Sequence, residues 1–196
     1  MDWSSLLTGG AIALLSFALG AGLTAWFRRR DAQLHGWLVL RATAEALSAN
    51  HATAVNDLNL VRTDLAGLAD PLPATFLNPL DVLDVGFWEQ LRGNLPEELL
   101  ADLPTVDHLR TCARLTAQVN QMVQSRETFR HSDPLWAPGD PDPNLHSRWL
   151  EGLRQYDRLL EEFLGQLIDA LASAQAGVVV WLPATHRRGL PTSPGV

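Results

Sequence analysis

An uncharged, mainly apolar run extends from Trp3 to Phe27, and Arg28, Arg29 and Arg30 close it. At ~1.5 Å per residue these twenty-five helical residues cover the ~30 Å hydrocarbon core of a bilayer with some tilt to spare. Trp3 and Trp26 lie at its two ends, where indoles favour the headgroup level. Only Asp2 and the amino terminus flank the other side, so the arginines, and all that follows them, are expected in the cytoplasm. A cleaved secretory signal would carry its positive charge before the apolar run rather than after it, which favours an uncleaved anchor.

Beyond the arginines the pattern changes to amphipathic helices. Trp37, Leu40, Ala44, Leu47, His51, Ala54, Leu58, Val61, Leu65 and Leu68 recur at alternating spacings of three and four, with His51 as the polar intruder, until Pro71 and Pro73. Asn78-Pro79 reads as a turn, and Asp84 to Arg92 as a short helix stopped near Gly93. Pro96, followed by Glu97 and Glu98, suits the first turn of another short helix.

A second long helix is expected from about Thr105 to Arg130. Val106, Leu109, Cys112 or Ala113, Thr116, Val119, Val123 and Phe129 give its apolar face, and Arg126, Arg130 and His131 suit its C-terminal end. The proline-rich stretch from Ser132 to Asn144 interrupts it. Trp149, Leu153, Tyr156, Leu160, Phe163, Leu167 and Ala170 then predict a third long helix, to about Gln175, with Gly177 as its stop. Val178 to Trp181 reads as a short extended segment.

The expected fold class is all-α: an N-terminal transmembrane helix followed by a cytoplasmic antiparallel helical bundle. Residues 1–30 form the anchor with its arginine flank, residues 31–182 the bundle, and residues 183–196 a disordered tail. The 166 residues after Arg30 are long enough for one core. All fifteen basic residues of the chain are arginine. Twelve of them follow Arg30, against twenty-one acidic residues, a formal charge of −9 that disfavours nucleic acid. A single cysteine, Cys112, rules out an internal disulfide.

Candidate chemistry is sparse. None of His35, His51, His108, His131, His146 and His186 has another histidine within three to five residues, so a metal would have to be assembled across helices from Glu45, His51, His108 or Glu162. Asp140-Pro141-Asp142-Pro143-Asn144, with Asp133 nearby, bunches oxygens but lacks the glycine and closing glutamate of a calcium loop. Cys112 has His108 one turn earlier, yet a cysteine on an apolar helix face is ordinarily a small core residue. We therefore expect no catalytic, cofactor-binding or metal-binding residues and no cofactor. Ser16, Gly20 and Thr24, with Ala18 and Gly22, permit close helix approach within the span.

The N-terminal span, Glu45 with Asn50, Pro79-Leu80 with Trp88, Leu95-Pro96 with Leu99, and Asn120 with Arg126 follow one another in an order that resembles a widespread set of uncharacterised prokaryotic membrane-anchored helical proteins. The resemblance covers about residues 1–130. It implies a fold and a topology and brings no activity with it.

Two functional readings follow. In the first, the chain is a single-pass inner-membrane protein, N-terminus outside, holding a cytoplasmic scaffold or interaction bundle; its partners are the bilayer, through residues 3–27, and another protein or a second copy. The alternative is a small-molecule sensor or enzyme with a polar site inside the bundle, built from Glu45, Asn50, His51, Asn120 and Tyr156. The seam from Trp37 to Leu68 faces either its own bundle or, as an extended coiled coil, another chain.

Overall fold

The computed structural model describes residues 3–68, 77–94, 102–132 and 143–190, with side chains from residue 19 onward and not for residue 143. The described chain is all-helical, without a strand. Its four helices are α1 (Trp3–Gly67), α2 (Gly86–Asn94), α3 (Leu103–Arg130) and α4 (Pro143–Trp181). Pro71, Pro73 and residues 96–100 and 133–142 lie outside the described residues.

Helix α1 is continuous for 65 residues, about 95 Å at 1.5 Å per residue. Residues 19–35 are exposed on every side, and burial begins near Gly36 and Leu40. From there α1 packs against α4 in antiparallel sense. The Leu68 carbonyl accepts from Arg154, Arg62 pairs with Glu161 at 2.7 Å, and Trp37 meets His186 with ring centres 5.6 Å apart. Helix α3 is antiparallel to α4 and parallel to α1, since Thr105 lies against Gly177 at one end and Phe129 against Trp149 at the other.

Between α1 and α3 the chain returns as an extended strap, residues 77–85, followed by α2. Asn78-Pro79 is therefore not a turn: the backbone passes straight through it. Asp84 caps α2 by accepting the Gly86 N–H at 2.7 Å, close to the start expected from the sequence.

One core joins Leu40, Ala44, Leu47, Ala54 and Val61 of α1, Leu83 of the strap and Phe87 and Leu91 of α2. Leu109, Cys112, Val119 and Val123 of α3 complete it with Leu160, Leu164, Leu167, Leu171 and Val178 of α4. The α1 seam thus faces its own bundle. Leu40, Ala44, Leu47, Ala54, Val61 and Leu68 are buried as expected, but Leu58, Leu65 and His51 are half-buried flanks, and Thr43, Asn50, Asp57 and Asp64 are buried in their place. In α4 Trp149, Leu153, Leu160 and Leu167 are buried as expected, but the other buried row is Asp157, Leu164 and Leu171, one residue beyond the expected Tyr156, Phe163 and Ala170. An alternation of threes and fours fits two neighbouring registers, and tertiary contacts select between them.

Among the residues whose side chains are described, from 19 onward, one helix is long and apolar enough to cross a membrane by length and composition, the 144–181 portion of α4. Its apolar stripe, from Leu160 to Val178, is the one that fills the core. The helix does not stop at Gly177, and Val178 to Trp181 is helical rather than extended. Gly177 is required for another reason. Its Cα approaches Thr105 so closely that an added Cβ would lie 2.7 Å from Thr105 Oγ1. Thr105 cannot easily move aside, because its hydroxyl donates to the α3 N-cap Asp102 at 2.7 Å. The Trp181 indole donates to the same carboxylate at 2.8 Å, and these bonds hold Asp102 below its usual pKa. Residues 183–190, expected as part of a loose tail, form a turn on the bundle: Arg187 donates to the Leu182 and Val180 carbonyls.

Two glycine substitutions test this packing. Alanine is the better helix former by up to ~1 kcal/mol. Gly165 has open space where a Cβ would go, so Gly165→Ala should raise the urea denaturation midpoint. Gly177→Ala should lower it despite the same propensity gain. Equal gains at both sites would contradict the close α3–α4 approach.

Candidate functional site

The strap poses the main chemical problem of this fold. Extended backbone inside a helical bundle has no neighbouring strand, and each buried N–H or C=O left unpaired costs about 1–3 kcal/mol. The flanking helices supply side chains in place of a strand. Asn50 of α1 makes a two-way pair with Asp84: its Oδ1 accepts the Asp84 N–H at 2.9 Å, and its Nδ2 donates to the Asp84 carbonyl at 2.7 Å. Asn120 of α3 does the same to Leu83, at 2.9 and 2.8 Å. An amide side chain can do this because it carries a donor and an acceptor in the geometry of a peptide group.

Farther along the groove, Asp57 accepts the Asp81 N–H at 3.3 Å. Asp64 accepts the Asn78 N–H at 3.0 Å and the Asn78 side-chain amide at 2.6 Å. Pro79, between these contacts, has no N–H to satisfy. Asn50, Asp57 and Asp64 are one heptad apart, so they form a single row on α1 facing the strap.

Arg126 closes the row. It is fully buried, and four of its five N–H donors are engaged. Nε and Nη2 grip Asp157 of α4 at 2.8 and 3.1 Å, Nη2 also reaches Asp64 at 2.6 Å, and Nη1 donates to the Asn78 carbonyl at 2.9 Å. One guanidinium thus ties α1, the strap, α3 and α4 together. Burial works against the Arg126 charge, but the carboxylates of Asp157 and Asp64 outweigh it and raise its pKa above the ordinary value. Burial raises the Asp157 pKa, against the pull of the arginine. Such a cluster is costly to desolvate and weak evidence of net stability, yet removal of its one cation would strand two buried carboxylates.

Asp57 differs from its neighbours. Its Oδ2 is buried without a hydrogen-bond partner, and burial, with the nearby Asp81 charge, lifts its pKa to about 6. Arg126 pairs with Asp64 and Asp157, and Asp57 lies farther along the row without an ion-pair partner among the described residues.

The residues singled out from sequence do not converge. Asn50 and Asn120 are engaged with the strap, Tyr156 donates to the Met122 carbonyl at 2.9 Å, Glu45 is exposed and pairs with Arg41, and His51 is half-buried beside the row. Arg126, expected at a helix C-terminus for its charge, is instead the buried hub. Cys112 is fully buried and its pKa is pushed up to about 12, far from a reactive thiolate, while His108 is exposed. Among the described residues no three His, Cys, Asp or Glu side chains are grouped to hold a metal. No family model, curated protein or solved structure matches the chain.

Asp57 supplies a pH test. Its folded-state pKa, about 6, exceeds the ordinary 3.8, so the folded chain binds this proton more tightly than the unfolded chain does. The resulting stabilisation is complete below about pH 4 and is lost as pH rises through 6. Relative to Asp57→Asn, which cannot titrate, the wild-type urea midpoint should therefore fall between pH 4.5 and 7. Asp157, raised in the same sense, remains in both chains and cancels in the comparison. A pH-independent difference would show that Asp57 is solvated.

Proposed function

We propose that this chain is a membrane-tethered helical interaction module, with residues 3–27 spanning the bilayer, the N-terminus outside and the bundle on the cytoplasmic face. The observation that carries the reading is the shape of α1. It leaves the bundle as an unbroken helix whose Leu19, Leu23, Trp26 and Phe27 are all at least half exposed, immediately before Arg28 to Arg30. Apolar side chains on every face of a lone helix call for an apolar solvent, and arginine flanks favour the cytoplasmic side.

The bundle's polar interior supports a scaffold over a sensor or enzyme. Asn50, Asp64, Asn120, Arg126 and Asp157 engage one another and the strap backbone, so these groups hold the fold together rather than standing ready for a substrate. What the bundle presents to a partner, another protein or a second copy, is its outer surface.

Cysteine labelling in intact cells tests the topology. Cys112 is unsuitable because its burial hides it from any reagent on either side. In a Cys112→Ala background, cysteine introduced at Asp2 should react with a membrane-impermeant maleimide in intact cells. Cysteine at the exposed Ser125 should react only after lysis. The reverse pattern, or recovery of the chain without residues 1–27, would overturn the proposal.

A further inference from the structure

With residues 3–27 across the bilayer, the arginine cluster stands at the membrane surface. Arg28, Arg29 and Arg30 follow one another at ~100° steps, so together they encircle most of α1. Their Cα atoms lie within ~5 Å of Phe27 along the axis, and helical side chains lean toward the N-terminus, here toward the bilayer. Arg30 shows this lean: its guanidinium carbon lies 5.3 Å from the centre of the Trp26 ring, one turn back. Trp26 in turn holds Phe27 edge-on at 5.0 Å. Indole and guanidinium thus share one level, that of the headgroup layer, which is ~5–8 Å deep on each side.

We propose that Arg28, Arg29 and Arg30 form a collar that binds the phosphates of anionic phospholipid headgroups in the cytoplasmic leaflet, with Trp26 orienting Arg30. The proposal rests on the anchor reading and adds lipid selectivity to it. The acidic bundle is screened from the collar in part: its first contact with α1, Asn94 against His35, lies five residues, ~7.5 Å of helix, beyond Arg30, about one screening length at physiological salt. The exposed stem between Arg30 and His35 adds one acidic residue, Asp31. A cationic side chain near an anionic leaflet contributes roughly a fivefold preference, so three give up to about a hundredfold.

The full chain, taken into nanodiscs containing equal phosphatidylglycerol and phosphatidylcholine, can be released for native mass spectrometry and its retained lipids counted. Wild type should retain phosphatidylglycerol in several-fold excess. A variant with Arg28→Gln, Arg29→Gln and Arg30→Gln should retain the two equally, and Trp26→Leu should reduce the excess in part. Resistance of each chain to alkaline carbonate extraction reports the anchor separately. Carbonate-resistant wild type without a phosphatidylglycerol excess, or an excess unaltered in the triple variant, overturns the collar and leaves the anchor standing. Wild type extracted by carbonate overturns the anchor itself.

Discussion

An extended strap inside a helical bundle must have its backbone paired by something other than a strand, and this requirement organises the structure. It places asparagine at 50 and 120, where a side-chain amide imitates a neighbouring peptide, and aspartate at 57 and 64, where N–H groups need acceptors. Buried Asp64 then demands a cation, and Arg126 supplies it while drawing in Asp157 from α4. A purely apolar core could not hold the strap, because its carbonyls and N–H groups would have no partners.

The polar row is closed at one end by Leu68, Leu77, Trp149 and Leu153, and at the other by the core from Leu40 to Leu47. The strap brings the chain back to the level of His35, which is within 3.3 Å of Asn94 at the end of α2, so that α3 can start beside α1 and run parallel to it. The strap and α2 thus take the place of a fourth long helix. The turn at 183–190 covers the same end of the bundle, near the point where α1 leaves it.

The long helices were legible in the sequence because their apolar spacing runs for many turns, and α3 came out within two residues at its start. The strap was not legible. Proline after Asn78 looks the same in a turn as in an extended segment that needs a residue without an N–H. The polar row was written in plain view, as Thr43, Asn50, Asp57 and Asp64 at strict intervals of seven beside Leu40, Leu47, Ala54, Val61 and Leu68. Reading by hydrophobicity alone moved the seam one position sideways, onto His51, Leu58 and Leu65. The same bias hid Arg126, three residues beyond Val123 on the buried face, and Asp157, four beyond Leu153. Charged residues of opposite sign at core positions of three different helices are the signal that would have found the cluster.

Amide hydrogen exchange of the strap tests this account most directly. The N–H groups of Asn78, Asp81, Leu83 and Asp84 belong to no helix or sheet, yet each donates to a side chain of α1 or α3. All four should exchange orders of magnitude more slowly than an unstructured loop, and Asn120→Ala should release Leu83 first. Exchange of these four amides at unprotected rates, with α1 and α3 still protected, would contradict the claim that side chains of α1 and α3 pair the strap backbone.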